Sequence, residues 1–94
     1  GVHLIIVNTP QHPDYGKSPY IGRLGPKMET FRQLEAWLRN LESSNPYVHY
    51  YDAHNYGNHD YTSAEATDCF HLNGLGAIKL STRVDSILTA ILGN

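Results

Sequence analysis

The run Val2-His3-Leu4-Ile5-Ile6-Val7 narrows the possible folds more than any other part of this chain. It is rich in β-branched residues, almost wholly apolar, and stops at Asn8-Thr9-Pro10. A continuous apolar run of this length predicts a strand buried on both faces, as in a parallel sheet covered by helices. Pro10 and Pro13 then enforce an extended loop through Gly22 to Gly25. Pro26 is placed to open a helix, where its missing N–H costs nothing. Phe31, Leu34, Leu38 and Leu41 follow on one helical face, and Trp37 widens the stripe. Asn45-Pro46 ends that helix, because a residue before proline disfavours the α conformation. Tyr47-Val48-His49-Tyr50-Tyr51 predicts a second strand that stops at Asp52. Residues 52–67 are polar and irregular. A last helix runs from about Leu75 to Leu92, with Leu80, Val84, Ile87, Leu88, Ile91 and Leu92 along one side.

Strand, helix, strand, helix at these spacings predicts a βαβα unit with parallel strands and a right-handed crossover. No repeat, low-complexity tract or linker interrupts it, so residues 1–94 read as a single domain. Two strands are too few for an independent sheet. Further strands are therefore expected from a preceding segment or another chain. The opening Gly1-Val2, leading straight into a strand, reads as a cut or processed end. A piece of this kind is expected to self-associate through an exposed sheet edge or helix face.

Composition excludes several classes of function. Seven Lys and Arg stand against nine Asp and Glu, a net charge of -2, so no basic stripe exists to neutralise phosphates and nucleic acid is not an expected partner. The longest apolar run is far short of a membrane span and lacks the flanks of a signal peptide. The single cysteine, Cys69, excludes an internal disulfide.

Chemistry gathers at one end of the predicted unit. Ligands of open α/β sheets sit outside the carboxyl ends of the strands, here Asn8-Thr9-Pro10 and Asp52-Ala53-His54. The loop Asp68-Cys69-Phe70-His71-Leu72-Asn73-Gly74-Leu75-Gly76-Ala77 leads into the last helix and is expected on that same edge. An acid three residues ahead of a histidine can set a carboxylate beside an imidazole. That fixes the ring's tautomer and stabilises the imidazolium, as a general base for a serine nucleophile requires. The plainer alternative is a turn in which Asp68 accepts backbone hydrogen bonds and His71 is partly buried near a helix start.

This stretch resembles the last conserved block of the SGNH (GDSL-type) hydrolases, where Asp-x-x-His-Leu supplies two members of a catalytic triad. The resemblance extends over most of the chain, which would supply the fourth strand, the helix after it, the fifth strand and the closing helix. It implies an α/β fold, the βαβα portion of a flavodoxin-like three-layer sandwich with a parallel sheet, incomplete in this chain. It also implies that His71 is the general base and Asp68 the carboxylate that orients it. The family's Gly-Asp-Ser and Gly-x-Asn-Asp blocks do not occur here, and none of Ser18, Ser43, Ser44, Ser63, Ser81 or Ser86 stands in the nucleophile's context. The implied activity is a cofactor-free serine esterase or lipase-like acyl hydrolase, acting on a small ester or an acylated carbohydrate. An O-acetyltransferase acting on polysaccharide would use the same residues. Without a nucleophile, the chain alone is expected to be inactive. A non-catalytic α/β binding module remains an alternative from a different class.

Three other groups of residues bear on function. His49, His54, His59 and His71, with Asp52 and Asp60, are numerous enough for a zinc or nickel site. Their spacings of 5, 5 and 12 match no compact ligand motif, and the reading adopted is scattered surface histidines with no metal. Of the seven tyrosines, Tyr47, Tyr50 and Tyr51 are expected to pack in a strand, and Tyr15, Tyr20, Tyr56 and Tyr61 to anchor loops or stack on sugar rings. Cys69 lies beside Asp68, which disfavours a thiolate, so a structural role is expected for it.

Overall fold

A computed structural model describes residues 2–21 and 25–93, in two compact units, Gly1–His59 and Asp60–Asn94. The first contains strand β1 (Leu4–Asn8), helix α1 (Met28–Ser44) and strand β2 (Val48–Asp52). The second contains helix α2 (Gly74–Leu92) and the loops that lead into it. The protein is therefore mixed α/β.

The two strands pair in parallel, with Leu4 opposite Val48, Ile6 opposite Tyr50 and Asn8 opposite Asp52. The ladder begins with the Leu4 N–H on the Tyr47 carbonyl and ends with the Ala53 N–H on that of Asn8. Both strands lie one or two residues later than the apolar runs suggest, because the Asn8 side chain bonds Asp52 and holds the ladder closed at its carboxyl end. Burial on both faces is not found. Val2 and Leu4 are 90% and 54% exposed and the rest of β1 is half-buried, because helix α1 packs against β2.

Helix α1 starts at Met28, not at Pro26. Tyr20 and Lys27 form an antiparallel bridge, and the Pro26 carbonyl takes the Ile21 N–H, which keeps the chain extended up to Lys27. The predicted loop runs partly through residues 22–24, which lie outside the described residues; its earlier part contains a tight turn at Pro13–Gly16. Met28 and Phe31 pack with Ile21 and Tyr56 into a small core, and Leu38 is buried too. Of the remaining stripe residues Leu41 is half-buried, and Leu34 and Trp37 are exposed. As expected, the helix ends before Pro46, with Asn45 in an extended conformation.

On the side of β2 that faces away from β1, the Val48 N–H bonds the Asn45 carbonyl and the Tyr50 N–H meets α1. The Glu42 carboxylate accepts the Tyr50 N–H at 2.6 Å and so occupies that edge of the strand. On β1 the Leu4 N–H points toward β2, so Ile5 and Val7 turn their backbone groups to the opposite edge, where no described strand pairs with them.

In the second unit the Asn73 side chain caps α2 by accepting the Gly76 N–H. Leu80, Val84, Ile87 and Ile91 are half-buried, whereas Leu88 and Leu92 are exposed. No helix among the described residues is long and apolar enough to cross a membrane.

Candidate functional site

The loop before α2 is built from local hydrogen bonds. Ala66 and Leu72 form an antiparallel bridge, and the Thr67 N–H donates to the His71 carbonyl, so residues 67–71 project as a closed tip. Asp68 Oδ1 accepts the backbone N–H groups of Phe70 and His71 at 2.8 and 2.9 Å. The same carboxylate receives His71 Nδ1, at 2.9 Å from Oδ1 and 3.0 Å from Oδ2. The Phe70 ring stands edge-on to the imidazole.

This geometry sets the histidine's tautomer. An ionised carboxylate only accepts hydrogen bonds, so the proton shared with Asp68 belongs to Nδ1. The lone pair of a neutral ring is then on Nε2, which has no partner among the described residues. The His71 side chain is 73% exposed, so Nε2 is open to a reactant. The Phe70 N–H, and then the His71 ring, hold the Asp68 carboxyl below the usual carboxylate range. The two residues singled out from spacing are thus brought together in the tautomer a base requires. The backbone-accepting turn weighed as their alternative is also present. Asp68 does both.

A buttress fixes the loop against the helix. Thr62 and Glu65 form a capping box around the turn Ser63–Glu65. Lys79 reaches Glu65 Oε1 at 3.1 Å and the Asp60 carbonyl at 2.6 Å. Arg83 makes a two-pronged pair with Asp60, at 2.6 Å for each bond. The cations of Lys79 and Arg83 lie over the Tyr61 ring. Asn73 ties the helix start back with its side chain on the Ala64 carbonyl and its N–H on that of Glu65. Gly76 is buried at this crossing, and a Cβ there would overlap the Glu65 carbonyl.

The other predicted groups make contacts of their own. Asp52 Oδ1 accepts the Asn8 side chain and the N–H groups of His54 and Asn55. His49 pairs with His3 at 2.9 Å. Among the described residues no three His, Cys, Asp or Glu side chains converge as a metal site. His54 is not on the surface, as the sequence reading has it, but wholly buried. Its position depends on Gln11, 43 residues away, which no spacing rule reveals. Cys69 is exposed at the loop tip.

Tyr50 and Tyr56 are anchored through one carboxylate, whereas Tyr20 is exposed and Tyr47, expected to pack in a strand, lies exposed just before β2. Glu35, unremarked in the sequence, accepts the Tyr50 hydroxyl at 2.8 Å and the Tyr56 hydroxyl at 2.7 Å. Burial and this carboxylate push the Tyr56 phenol up to about 12 and raise that of Tyr50 further. Of the serines, the hydroxyls of Ser43, Ser44 and Ser86 donate to helix carbonyls, and that of Ser18 accepts the Tyr20 N–H. Among the described residues no serine hydroxyl bonds His71.

Comparison of the chain with protein-family models, curated proteins and solved structures returned no match.

Proposed function

We propose that this chain is the C-terminal portion of an SGNH-type serine esterase or lipase-like acyl hydrolase, in which Asp68 and His71 act with a serine supplied from outside residues 1–94. The observation that carries the reading is the placing of His71 Nδ1 on both oxygens of Asp68, with Nε2 exposed. In acyl transfer, Nε2 takes the proton of the serine hydroxyl as Oγ bonds to the ester carbonyl carbon. Asp68 stabilises the imidazolium that results. When the tetrahedral intermediate collapses, the ester C–O bond breaks and Nε2 returns the proton to the departing alkoxide. Water repeats the sequence to release the acid and the free serine. If a sugar hydroxyl takes the place of water, the same steps transfer an acetyl group to a polysaccharide.

The finer fold belongs to the same proposal, a flavodoxin-like sandwich in which β2 is the last strand of a parallel sheet. Glu42 on the outward N–H of Tyr50 supports it, because that edge is already occupied, whereas the Ile5 and Val7 edge of β1 is left for further strands.

The test is turnover of an aryl acetate by a polypeptide that joins this chain to its nucleophile-bearing segment. Asp68→Asn should lower kcat by about 10⁴ and His71→Ala by about 10⁴ to 10⁶, with the fold intact in both. Full activity in either variant refutes the assignment.

A further inference from the structure

A second polar cluster stands off the carboxyl ends of β1 and β2. His54 is the one fully buried polar side chain among the described residues. Its Nδ1 accepts the Gln11 N–H at 3.0 Å, which leaves the proton of the neutral ring on Nε2. That Nε2 and Gln11 Oε1 are both buried without a hydrogen-bond partner among the described residues. His59 approaches the same residue, its Nε2 donating to the Gln11 carbonyl at 2.6 Å. The two rings lie 5.5 Å apart. Gln11 is therefore gripped at its N–H by one imidazole and at its carbonyl by the other.

The turn between those histidines is strained. Asn55, Tyr56 and Gly57 have φ of 49°, 55° and 88°, a left-handed run that side chains other than glycine's disfavour. Tyr56 is kept there by its hydroxyl on Glu35 and its ring against Phe31. A Cβ on Gly57 would overlap the Pro13 carbonyl, so the turn Pro13–Gly16 packs directly on this backbone.

We propose that this cluster is an acid-released latch: a proton on His54 Nδ1 removes the acceptor of the Gln11 N–H, sets a buried cation beside His59, and frees the segment after β1 from the strained turn after β2. The titratable groups around His54 set the balance. Asp52 favours the cation, but its Oδ1 already accepts three hydrogen bonds; His59 opposes it. On the segment after β1, His12 and Asp14 are exposed and lie 3.6 Å from each other. Burial, and then His59, hold the His54 ring below the ordinary imidazole value of 6.5. The folded ring thus binds its proton less readily than the unfolded one. The stability that depends on neutral His54 is complete above pH 6.5 and is lost as pH falls from there toward the folded value. The latch is independent of the acyl-transfer reading, since neither Asp68 nor His71 takes part.

The test is NMR of the full ¹⁵N-labelled chain from pH 7.5 to 5. The protection factor of the Gln11 amide should fall by up to about tenfold per pH unit below 6.5, ahead of the folded His54 ring's own midpoint. His54→Asn replaces Nδ1 by an amide oxygen that accepts but does not titrate here, and should make Gln11 protection flat over this range. An equal pH dependence in His54→Asn overturns the latch. Should that variant not fold, the wild-type ring decides by itself. Titration of the ring above 6.5, or Gln11 protection unchanged below 6.5, overturns the proposal; a ring midpoint below 6.5 with protection falling from 6.5 downward supports it.

Discussion

Asp68 carries three obligations on one side chain, two to backbone N–H groups and one to an imidazole. Asparagine can keep the backbone contacts through its own oxygen but loses the charge that stabilises an imidazolium. Asp68→Asn should therefore hold the loop's shape, read as unchanged amide shifts at Phe70 and His71, while abolishing the base. Collapse of those shifts would make Asp68 a structural residue alone. This pair was legible because its contact spans three residues and the turn that makes it is local. His54 was not, because its ring bonds the backbone of Gln11, 43 residues away in the chain.

At the scale of elements, the path from sequence to structure is clearest where one segment determines its own fold. The α1 boundary at Asn45-Pro46 follows from a local rule. Burial does not, because Leu34, Trp37 and β1 carry apolar patterns that nothing in the described sheet covers. Two substitutions test how elements hold the site. Gly76→Ala places a methyl against the Glu65 carbonyl and should cost about 1–3 kcal/mol in urea unfolding, with shifts confined largely to residues 60–80. Wild-type stability in that variant would contradict the close crossing. Glu42→Ala strips the acceptor from the Tyr50 N–H and should cost about 1–2 kcal/mol. It should also promote self-association by sedimentation, as a sheet edge is bared.

For the whole molecule, acid acts on the two units through different groups. In the second, Arg83 and Lys79 hold Asp60 well below its ordinary 3.8, and the Thr62 N–H and Lys79 hold Glu65 below 4.5. Depressed carboxylates stabilise above those ordinary values, and their contribution is lost as pH falls through them toward the folded ones. His54 begins to weaken the first unit already below 6.5. Peptide-resolved hydrogen exchange should therefore show Gly1–His59 losing protection at pH 5.5 while Asp60–Asn94 holds until below about 4.5. The reverse order would contradict both charge assignments. The claim on which the functional account rests is that His71 serves a serine from outside these residues. Labelling of the joined polypeptide with a fluorophosphonate, mapped by mass spectrometry, tests it most directly. The account predicts one modified serine outside Gly1–Asn94, lost in His71→Ala; label retained in that variant, or carried by a serine of this chain, would contradict it.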